Sequence, residues 1–572
     1  MTDPFVLFDD QVTGQQRYFT KPLALIEAHS PADIPRAFEK IETALNNGHH
    51  IAGYFAYELG LALSPKLQPL LKKRQRENNP LIKIGVFPSP SDTPPAELLY
   101  SAAPPNIQLT PEWNEVDYKS RFKRLQNYIT AGDCYQVNLT FPMRGETDAS
   151  AAQIYSGFRQ AQPGRYGALI SLGGADIISF SPELFFERKG SSISMRPMKG
   201  TRPRSGDDDF AIAEAMREEP KSRAENLMIV DLLRNDLSRL SKTGSVKVPE
   251  LFTLESYPTL YQMTSKITGE LRGDVSWLDI FKSLFPCGSV TGAPKIRTME
   301  IIDELENAHR GPYCGAMGFI APNGNACFNV GIRTAILTDN KLRYNVGSGV
   351  VSDSDGADEY RECLLKAQIF TPQAEQFIET LYWDPATGYR NEAGHIERLS
   401  KAFGKPVTPP RIIAQSPQRV RWSADQNGEI SFEATPYKAL TEPLNIAISK
   451  YALIPHLQRS DVKTSHRYFY DGERARLQAL FPDINEVIFC NADGHLCEGS
   501  FTSLFIEKDR KLLTPPLSAG LLPGVLRQKL LDEGTAFETT LTLEDLKTAD
   551  TIWLGNSLRG VMRAKLIKQT PQ

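Results

Sequence analysis

The sequence lacks the features of disulfide-rich, membrane-spanning and strongly charged proteins. Its 572 residues include only seven cysteines, an odd number with no C-x-x-C pair, which argues against a disulfide framework or a zinc site and favours a reduced compartment. Lysine and arginine (65) nearly balance aspartate and glutamate (68), so no long-range field favours nucleic acid or an anionic membrane. No run approaches the ~18 apolar residues of a spanning helix, and the start, MTDPFVLFDD, lacks the basic segment of a signal peptide. We therefore expect a cytoplasmic protein that binds a small substrate, without nucleic acid or membrane partners.

The length predicts more than one hydrophobic core, because compact units average about 150 residues. Short apolar runs and Pro-rich connections over residues 1–110 predict a smaller N-terminal lobe. The segment FTPQAEQ, residues 370–376, interrupts a helical pattern with a proline and polar residues. We therefore expect one domain over residues 1–372 and a second over residues 373–572.

The first domain reads as a strand-rich core with flanking helices. A helix is predicted in YKSRFKRLQNYITAG, ending at Gly132, followed by strands in QVNLTF, GALISL, DIISFSPELFFER and SISMRP. Strands are also predicted in CFNVGIRTAIL and LRYNVGSGVV, before a closing helix in DEYRECLLKAQIF. Residues 209–240 are helical by pattern, with an apolar stripe of Leu227, Val230, Leu233, Leu237 and Leu240.

Several segments are richer in glycine and hydroxyl residues than strand packing requires. PCGSVTGAPK, residues 286–295, offers hydroxyls and backbone N–H groups just before a helix, an arrangement that favours anions. YNVGSGVV is a second Gly-rich segment, and Arg333 in GIRT can form a bidentate bond with a carboxylate. Each feature alone is more often structural, but together they indicate a ligand with more than one carboxylate.

Charged residues in three further segments could either bind a ligand or lie on a solvated surface. Glu225 begins the helix AENLMIVDLLRNDLSR, and Glu359 and Glu362 share one face of DEYRECLLK, so two helices could offer carboxylates to a hard cation. Spacing alone favours a solvated helix face. Lys199 stands between two prolines in MRPMKGTRPR, and by position alone it reads as a solvated charge at a turn.

Eight ordered motifs resemble one family. AGDCYQVNLT, SPELFFE, RPMKGT, RAENLMIVDLLRND, GSVTGAPK, YCGAMGF, GIRT and GSGVV, across residues 131–351, are similar to the chorismate-utilising anthranilate, aminodeoxychorismate, isochorismate and salicylate synthases. The resemblance implies a chorismate-binding, β-sandwich-like core with flanking helices. It also implies that Glu225 and Glu362, supported by Glu359, hold Mg²⁺, and that Glu183 is the general acid that protonates the departing C4 hydroxyl. The residues it assigns to the carboxylates of chorismate are Ser289, Gly292, Tyr313, Arg333 and Gly349.

Lys199 distinguishes branches within this family. Anthranilate and isochorismate synthases carry alanine there, whereas aminodeoxychorismate synthases have the P-[IM]-K-G-T form found here. The resemblance implies that Lys199 attacks C2 of chorismate as the C4 hydroxyl leaves, after which ammonia adds at C4 and expels the lysine. Many relatives have histidine where this chain has Gln262, which can still hydrogen-bond the substrate. No cysteine lies in a G-x-C-x-G turn, so ammonia must be free or come from a separate glutamine amidotransferase subunit.

A second set of motifs fills the C-terminal region. HIERL, VKTS, LCEGSFTSLF, LLPGVLRQ and WLGNSLRG resemble the D-amino-acid-aminotransferase-like, fold-type IV pyridoxal 5′-phosphate (PLP) enzymes, specifically the aminodeoxychorismate lyases. The resemblance implies that Lys463 bonds covalently to PLP and that Glu498 pairs with its pyridine nitrogen. The residues implied to hold the phosphate are Arg398, Gly524, Asn556 and Ser557. Taken singly, these residues also read as a loop lysine, a helix-surface charge and ordinary turns, and T-S-L replaces the commoner S-N-L.

Together the resemblances imply an α+β and α/β chain that catalyses two consecutive steps. Chorismate and ammonia would give 4-amino-4-deoxychorismate, and elimination of pyruvate would then give 4-aminobenzoate, a folate precursor. One alternative is an anthranilate- or salicylate-type synthase fused to an inactive or aminotransferase PLP domain. A non-catalytic subunit that binds chorismate or tryptophan is another, and a homo-oligomer formed through the PLP domain stays open.

Overall fold

The computed structural model describes residues 3–74, 79–100, 104–159, 164–203, 219–256, 260–370, 376–425, 428–453, 462–465 and 467–567. The chain divides into two compact units. Unit 1 comprises Met1–Pro95 and Pro105–Thr371, and unit 2 comprises Ala96–Pro104 and Pro372–Gln572. The segment Ala96–Pro104 therefore belongs with unit 2, although it lies inside the range expected for the first domain. Within the described ranges, no helix combines the length and apolar character needed to cross a membrane.

The elements of unit 1 alternate short strands with helices. Its strands are β1 (Phe5–Asp10), β2 (Gln15–Thr20), β3 (Ala24–Ala28), β4 (His50–Phe55), β5 (Ile82–Phe87), β6 (Thr110–Pro111), β7 (Gln136–Glu146), β8 (Tyr166–Ser171), β9 (Asp176–Ser181), β10 (Leu184–Lys189), β11 (Ser192–Arg196), β12 (Met198–Pro203), β13 (Lys247–Ser256), β14 (Leu260–Glu270), β15 (Gly292–Ala293), β16 (Ala316–Ile320), β17 (Ala326–Val330), β18 (Thr334–Thr338) and β19 (Lys341–Val350). Its helices are α1 (Ile34–Asn46), α2 (Glu58–Leu63), α3 (Gln68–Arg74), α4 (Glu115–Thr130), α5 (Ala151–Phe158), α6 (Pro220–Ser238), α7 (Trp277–Leu284), α8 (Lys295–Leu305) and α9 (Gly356–Ala367).

Two antiparallel sheets form the core of unit 1. One has the order β15-β7-β19-β18-β9-β8-β1-β2, with β6 paired to β7, and the other has the order β12-β14-β11-β10-β17-β16-β4-β5-β3, with β13 paired to β14. Apolar side chains from both sheets, such as Val6, Tyr54, Ile177 and Met317, pack into one cluster, as face-to-face sheets do. The expected β-sandwich-like core is confirmed. A separate lobe over residues 1–110 is not formed, because β1–β5 are hydrogen-bonded into these same sheets.

Two segments predicted as single strands cross from one sheet to the other. DIISFSPELFFER divides into β9 and β10 around Pro182, and CFNVGIRTAIL divides into β17 and β18 around Arg333. The single-strand predictions were wrong, because an apolar run does not encode the sheet to which each part belongs. The Ser181 hydroxyl donates to the Val330 carbonyl (2.6 Å), and the Val330 N–H donates to the Glu183 carbonyl (3.0 Å). Glu183 and Arg333 therefore both lie where the chain passes between the sheets.

Helix α6 confirms most of the predicted apolar stripe. Val230, Leu233, Leu237 and Leu240 are buried, but Leu227 is 45% exposed. In that turn Asn226 takes the inward position, and its amide oxygen accepts a hydrogen bond from the Ser265 hydroxyl (2.6 Å). The stripe prediction was therefore wrong at Leu227, and residues 209–218 of the predicted helix lie outside the described residues.

Unit 2 combines a small and a large sheet. Its strands are β20 (Phe377–Asp384), β21 (Gly388–Tyr389), β22 (Gln418–Ala424), β23 (Ile430–Pro436), β24 (Leu444–Ile448), β25 (Glu486–Cys490), β26 (Leu496–Gly499), β27 (Ser503–Lys508), β28 (Lys511–Thr514), β29 (Ala536–Glu538), β30 (Thr551–Asn556) and β31 (Gly560–Leu566). Its helices are α10 (Glu392–Phe403), α11 (Tyr468–Leu480), α12 (Val525–Asp532) and α13 (Leu543–Lys547). The small antiparallel sheet has the order β21-β20-β22-β23, and the large mixed sheet has the order β26-β25-β24-β31-β30-β27-β28-β29. Each sheet has its own apolar cluster.

The segment Ala96–Pro104 is anchored in unit 2 by Tyr100. The Tyr100 ring is buried against Tyr451 and Phe469, and its hydroxyl donates to Glu473 (2.8 Å). Arg476 holds both carboxylate oxygens of Glu473 at 2.7 Å. A buried phenol that satisfies a buried carboxylate cannot be removed without leaving an unpaired polar group, so this segment is an integral part of unit 2.

Candidate active sites

Glu183 occupies a buried position at one sheet crossing of unit 1. Its side chain is 3% exposed, and the Ser289 hydroxyl donates to its Oε1 atom at 2.7 Å. Burial raises the pKa of Glu183 to about 7, although the Ser289 hydrogen bond and the charge of Lys199 act in the opposite direction. A carboxyl with this pKa retains a proton near neutral pH, which is what a general acid requires.

Lys199 lies on β12 and points into unit 1. Its Nζ atom is 3.1 Å from Oε2 of Glu225 on α6, and the two side chains are only 17% and 18% exposed. A Cβ atom added at Gly349 would lie 2.9 Å from Nζ, so a side chain there would press on the amine. Glu183 is also close enough to interact electrostatically with Lys199. Lys199 therefore lies in an enclosed, acidic environment and is not a solvent-exposed charge at a turn.

The sequence did not single out Gln136, although it lies beside Lys199. A Cβ atom at Gly349 would be 3.0 Å from its amide nitrogen. Gln136 is fully buried on β7, and neither its amide nitrogen nor its amide oxygen has a hydrogen-bond partner among the described residues. An unsatisfied buried amide is costly, which indicates a polar site. The signal was present in QVNLTF, where an amide stands in a buried strand.

The segment PCGSVTGAPK, residues 286–295, serves two purposes. Its Ser289 turns its hydroxyl to Glu183. Gly292 has φ 144°, and a Cβ atom there would lie 2.0 Å from the Gln136 carbonyl oxygen, so glycine is needed for β15 to pair with β7. Lys295, which opens the following helix, is ion-paired with Asp236 (2.7 Å).

The other residues predicted to bind substrate include Tyr313, Arg333 and Gln262. Tyr313 is 4% exposed, and Arg333 adopts φ 49° at the second sheet crossing. Burial lowers the pKa of Arg333, with Tyr344 acting against this effect. Gln262 is 2% exposed on β14, and its amide nitrogen lies 2.6 Å from Sδ of Met198, next to Lys199.

The structure does not assemble the predicted magnesium ligands into a ready site. Glu225 is paired with Lys199, and Glu362 is paired with Lys366 of its own helix (2.7 Å). Glu359 accepts a hydrogen bond from the Ser354 hydroxyl (2.8 Å). Over the ranges the structure describes, no group of three or more His, Cys, Asp or Glu side chains is arranged to hold a metal ion.

In unit 2, one cavity collects the predicted PLP residues. Lys463, Glu498, Arg398, Gly524, Asn556 and Ser557 all line it. The Lys463 amine donates to the Thr380 hydroxyl at 3.5 Å. Burial of the amine and, as a smaller effect, the positive charge of Arg467 lower the pKa of Lys463 to about 7. A large fraction of this amine is therefore neutral near pH 7, as condensation with a carbonyl requires.

Glu498 faces the same cavity from β26. It is 6% exposed, and burial raises its pKa to about 7, against hydrogen bonds from Tyr470 and the Leu522 N–H. The Tyr470 hydroxyl donates to Oε1 of Glu498. Tyr470 was not recognised from the sequence, because nothing in HRYFYDGE relates it to the distant LCEGS motif.

Arg398 on α10 is held by partners that the sequence also did not reveal. Its Nε and Nη2 atoms donate to the two carboxylate oxygens of Glu379 (2.7 and 2.5 Å), and Nη1 donates to the Pro523 carbonyl (2.8 Å). His395 lies one turn before Arg398, with Nδ1 2.6 Å from Glu379. Burial opposes ionisation, but Arg398 and His395 bring the pKa of Glu379 down to about 2.

The donor set of this cavity fits PLP. Gly524 caps α12, and a Cβ atom there would lie 2.5 Å from the Ser503 hydroxyl, so the backbone approaches the cavity closely. The buried Nε2 atom of His395 has no partner among the described residues, although His395 lines the cavity. A lysine that can be neutral suits the aldehyde of PLP, and a carboxyl group suits its pyridine nitrogen. An arginine and the N-terminus of a helix suit its phosphate.

Comparisons with known proteins identify the family. The sequence profile of the chorismate binding enzymes matches residues 3–372, well over half of the chain, and the chain belongs to that family. The profile of the class IV aminotransferases matches residues 378–567.

Individual relatives carry two different names. The chain is 39% identical over 277 residues to aminodeoxychorismate synthase component 1 of Escherichia coli (strain K12), covering 47% of this chain and 61% of the relative. It is 38% identical over 271 residues to an anthranilate synthase component 1 of Haloarcula marismortui, covering 47% of this chain and 54% of the relative. The chain thus spans about three fifths, or less, of the length of these curated relatives. The crystal structure of anthranilate synthase component I from Streptococcus pneumoniae TIGR4 shares the fold (TM-score 0.52, 21% identity, 65% of this chain and 93% of that chain).

Proposed function

We propose that this chain makes 4-aminobenzoate from chorismate in two steps, one in residues 1–372 and one in residues 373–572. The first step would convert chorismate and ammonia to 4-amino-4-deoxychorismate and water. The second would eliminate pyruvate to leave 4-aminobenzoate. The observation that carries the proposal is the enclosed amine of Lys199, 3.1 Å from Glu225 and in electrostatic range of Glu183.

In the first step, Lys199 and Glu183 would act at C2 and C4 of chorismate, the two ends of a path that runs through both ring double bonds. The Lys199 nitrogen forms a bond to C2, both double bonds shift by one position, and the C4–oxygen bond breaks. Glu183 gives its proton to the departing hydroxyl, so water leaves. Ammonia then adds at C4 and returns a proton to Glu183, both double bonds shift back, and the C2–nitrogen bond to Lys199 breaks. The pKa of about 7 for Glu183 supports this role, because the acid is protonated near neutral pH.

Chorismate recognition is proposed for Ser289, Gly292, Tyr313, Arg333 and Gly349, with Gln262 beside them. Magnesium is proposed on the family resemblance, with Glu225, Glu362 and Glu359 as its oxygen ligands. Binding of the ion requires Glu225 and Glu362 to exchange their lysine partners for it.

In the second step, PLP supplies an electron sink that stabilises negative charge developing beside the substrate nitrogen. Lys463, with its lowered pKa, is the group available to hold the cofactor and to move a ring proton. Glu498 would keep the pyridine nitrogen protonated. Arg398, with Gly524, would hold the phosphate.

The rival proposal is an anthranilate-type synthase fused to a different PLP activity. Identity alone does not separate the two, because relatives of both names match at 38–39%. Lys199 favours the aminodeoxychorismate branch, since alanine stands there in the anthranilate synthases that the family resemblance describes. Ammonia is proposed to come from a separate glutamine amidotransferase subunit.

One incubation tests the proposal. The full chain with chorismate, ammonium, Mg²⁺ and PLP should yield 4-aminobenzoate and pyruvate, identified by mass. Lys199→Ala should stop this synthesis while still cleaving supplied aminodeoxychorismate. Without ammonia, the wild-type chain should gain the mass of chorismate less water, and Lys199→Ala should not. Anthranilate as product, or synthesis by Lys199→Ala at the wild-type rate, would contradict the proposal.

A further inference from the structure

Helix α11 has two neighbouring faces that contact different parts of unit 2. Phe469, Glu473 and Arg476 follow one another at spacings of four and three residues, which place their side chains on one face of the helix. Tyr100 binds this first face: its ring centre is 4.9 Å from that of Phe469, and its hydroxyl donates to Glu473 at 2.8 Å. The segment Ala96–Pro104 therefore holds α11 from one side.

The second face of α11 holds the wall of the cavity that contains Lys463. Tyr470 and Arg474 lie one turn apart on this face. The Tyr470 hydroxyl donates to Oε1 of Glu498. Nη1 of Arg474 donates to the Ser500 hydroxyl at 2.8 Å. Since Tyr470, Glu498 and Ser500 all line the cavity, a movement of α11 would disturb two hydrogen bonds at its wall together.

Aromatic packing joins the two faces at the first turn of α11. Phe469 and Tyr470 are adjacent in the sequence, and both rings pack against Phe489 of β25, each with 5.3 Å between ring centres. All three rings are buried. Close-packed groups have little free volume, so a displacement of one is passed to the next. The contact of Tyr100 with Phe469 therefore bears on the position of Tyr470.

The start of α11 depends on such packing because a capping side chain does not hold it. Arg467, the residue before the helix, makes no side-chain capping hydrogen bond within the described part of the chain. Its guanidinium carbon instead lies 4.7 Å from the centre of the Tyr470 ring, and its Nη2 atom donates to the Ser500 carbonyl. A helix start without a cap frays more easily unless tertiary contacts fix it.

Glu473 makes the contact with Tyr100 costly to lose. It is fully buried, and its Oε2 atom accepts hydrogen bonds from the Tyr100 hydroxyl and from Nε of Arg476 (2.7 Å). Its Oε1 atom accepts from Nη2 of Arg476 (2.7 Å) and from the Ser449 hydroxyl (3.0 Å). A buried carboxylate that loses a donor must find another or let water in, and either change requires α11 to shift.

We propose that Tyr100 is a positioning residue for the PLP site. By fixing α11, it places Tyr470 against Glu498 and Arg474 against Ser500, so it acts through the helix and not on the cofactor itself. The PLP site thus depends on a segment that interrupts the sequence of unit 1, and residues 372–572 alone lack this part of unit 2. The role of Glu498 in cleavage rests on the proposed function, whereas its contact with α11 does not.

Cofactor affinity provides the first test. The full chain is stripped of PLP and titrated with it, and binding is followed by visible absorbance. Tyr100→Phe keeps the ring but loses the hydroxyl, and it should raise the Kd for PLP by about threefold to tenfold. Tyr100→Ala loses both and should raise it by about tenfold to a hundredfold. Tyr389→Phe is the matched control, because it removes a phenol hydroxyl that donates to the Pro410 carbonyl (2.9 Å) elsewhere in unit 2, and it should leave the Kd unchanged.

A double-mutant cycle separates positioning from a general loss of stability. Tyr470→Phe alone should raise the Kd for PLP by about threefold to tenfold. If Tyr100 acts through Tyr470, the variant with both Tyr100→Phe and Tyr470→Phe should have a Kd close to that of the weaker-binding single variant, because coupled residues are not additive. Before PLP is added, amides of α11 should exchange hydrogen faster in Tyr100→Phe than in the wild-type chain, and Tyr389→Phe should not change them.

The outcomes also separate this proposal from the proposed function. Wild-type affinity for PLP in Tyr100→Phe and Tyr100→Ala, or single effects that simply multiply in the double variant, would overturn the positioning role. Neither measurement needs turnover. A chain whose PLP affinity depends on Tyr100 but which does not cleave aminodeoxychorismate would support the positioning role and contradict the proposed function.

Discussion

Replacement of Glu183 by glutamine should make unit 1 more stable and less active at the same time. Glutamine has the shape of glutamate, and its oxygen can still accept the 2.7 Å hydrogen bond from Ser289. It cannot ionise, and it cannot give a proton to a leaving hydroxyl. The substitution therefore separates the cost of a buried carboxylate from its use in catalysis.

The size of the stability gain follows from the pKa of Glu183. Its ordinary value is 4.5, and burial raises it to about 7 in the folded chain. Between these values the folded state keeps the proton that the unfolded state has lost, so wild-type stability falls as pH rises from 4.5 to 7 and stays low above pH 7. A shift of about 2.5 pKa units corresponds to about 3 kcal/mol. Glu183→Gln should thus exceed the wild-type stability by about 3 kcal/mol at pH 8 and by less than about 1 kcal/mol at pH 5.

Calorimetric unfolding at pH 5 and pH 8 measures this difference. The unit 1 transition is identified as the one that added PLP does not shift, because PLP binds in unit 2 and stabilises only what it binds. The same variant should lose aminodeoxychorismate formation by a factor of about 10² or more. At constant free ammonia, wild-type synthesis should fall as pH rises through about 7, as the acid loses its proton. A stability difference that is the same at both pH values, or synthesis by the variant at the wild-type rate, would refute the reasoning.

Three other predictions concern the remaining site residues. Lys463→Ala should abolish the visible absorbance of bound cofactor and cleavage of aminodeoxychorismate, while chorismate consumption continues; retained cleavage would show that another residue acts. Glu225→Gln and Glu362→Gln should each weaken the joint binding of Mg²⁺ and chorismate in titrations and leave cleavage of supplied aminodeoxychorismate intact, and unchanged Mg²⁺ dependence in both would exclude them as ligands. Tyr470→Phe removes a hydrogen bond that lowers the pKa of Glu498, so a larger protonated fraction of that carboxyl should slow cleavage at pH 7. A cleavage rate and a cofactor spectrum like those of the wild type would count against a role for Tyr470.

The sequence predicted elements well where a local pattern decides the structure. Helix α4 ends at Thr130, close to the predicted end at Gly132, and its start is fixed by Asn114, whose side chain accepts from the Asp117 N–H (2.9 Å). The closing helix α9 also forms as predicted. The sheet crossings at Pro182 and Arg333 were missed, because membership of a sheet is a long-range property and apolar runs are alike in both sheets.

The ordered motifs supplied the candidate site residues, whereas the partners of these residues in the structure were not predicted. Gln136 and Glu379 are buried polar residues within apolar segments, and their burial could have been suspected from QVNLTF and FIETLYW. The residues that each one contacts could not be predicted from these segments. The contact between Glu379 and Arg398 joins a strand to a helix 19 residues later, and only the fold brings them to 2.7 Å.

The arginines of the small sheet show why some groupings have no local signature at all. In the sequence, Arg419 and Arg421 each look like an ordinary surface charge. Strand register places them opposite Tyr382 and Thr380 of β20, so both side chains share the side of the sheet that carries the Thr380 hydroxyl. The same register places Glu433 of β23 opposite Arg421. Strand pairing therefore decides which charges stand together, and strand pairing is a long-range property that a run of residues does not reveal.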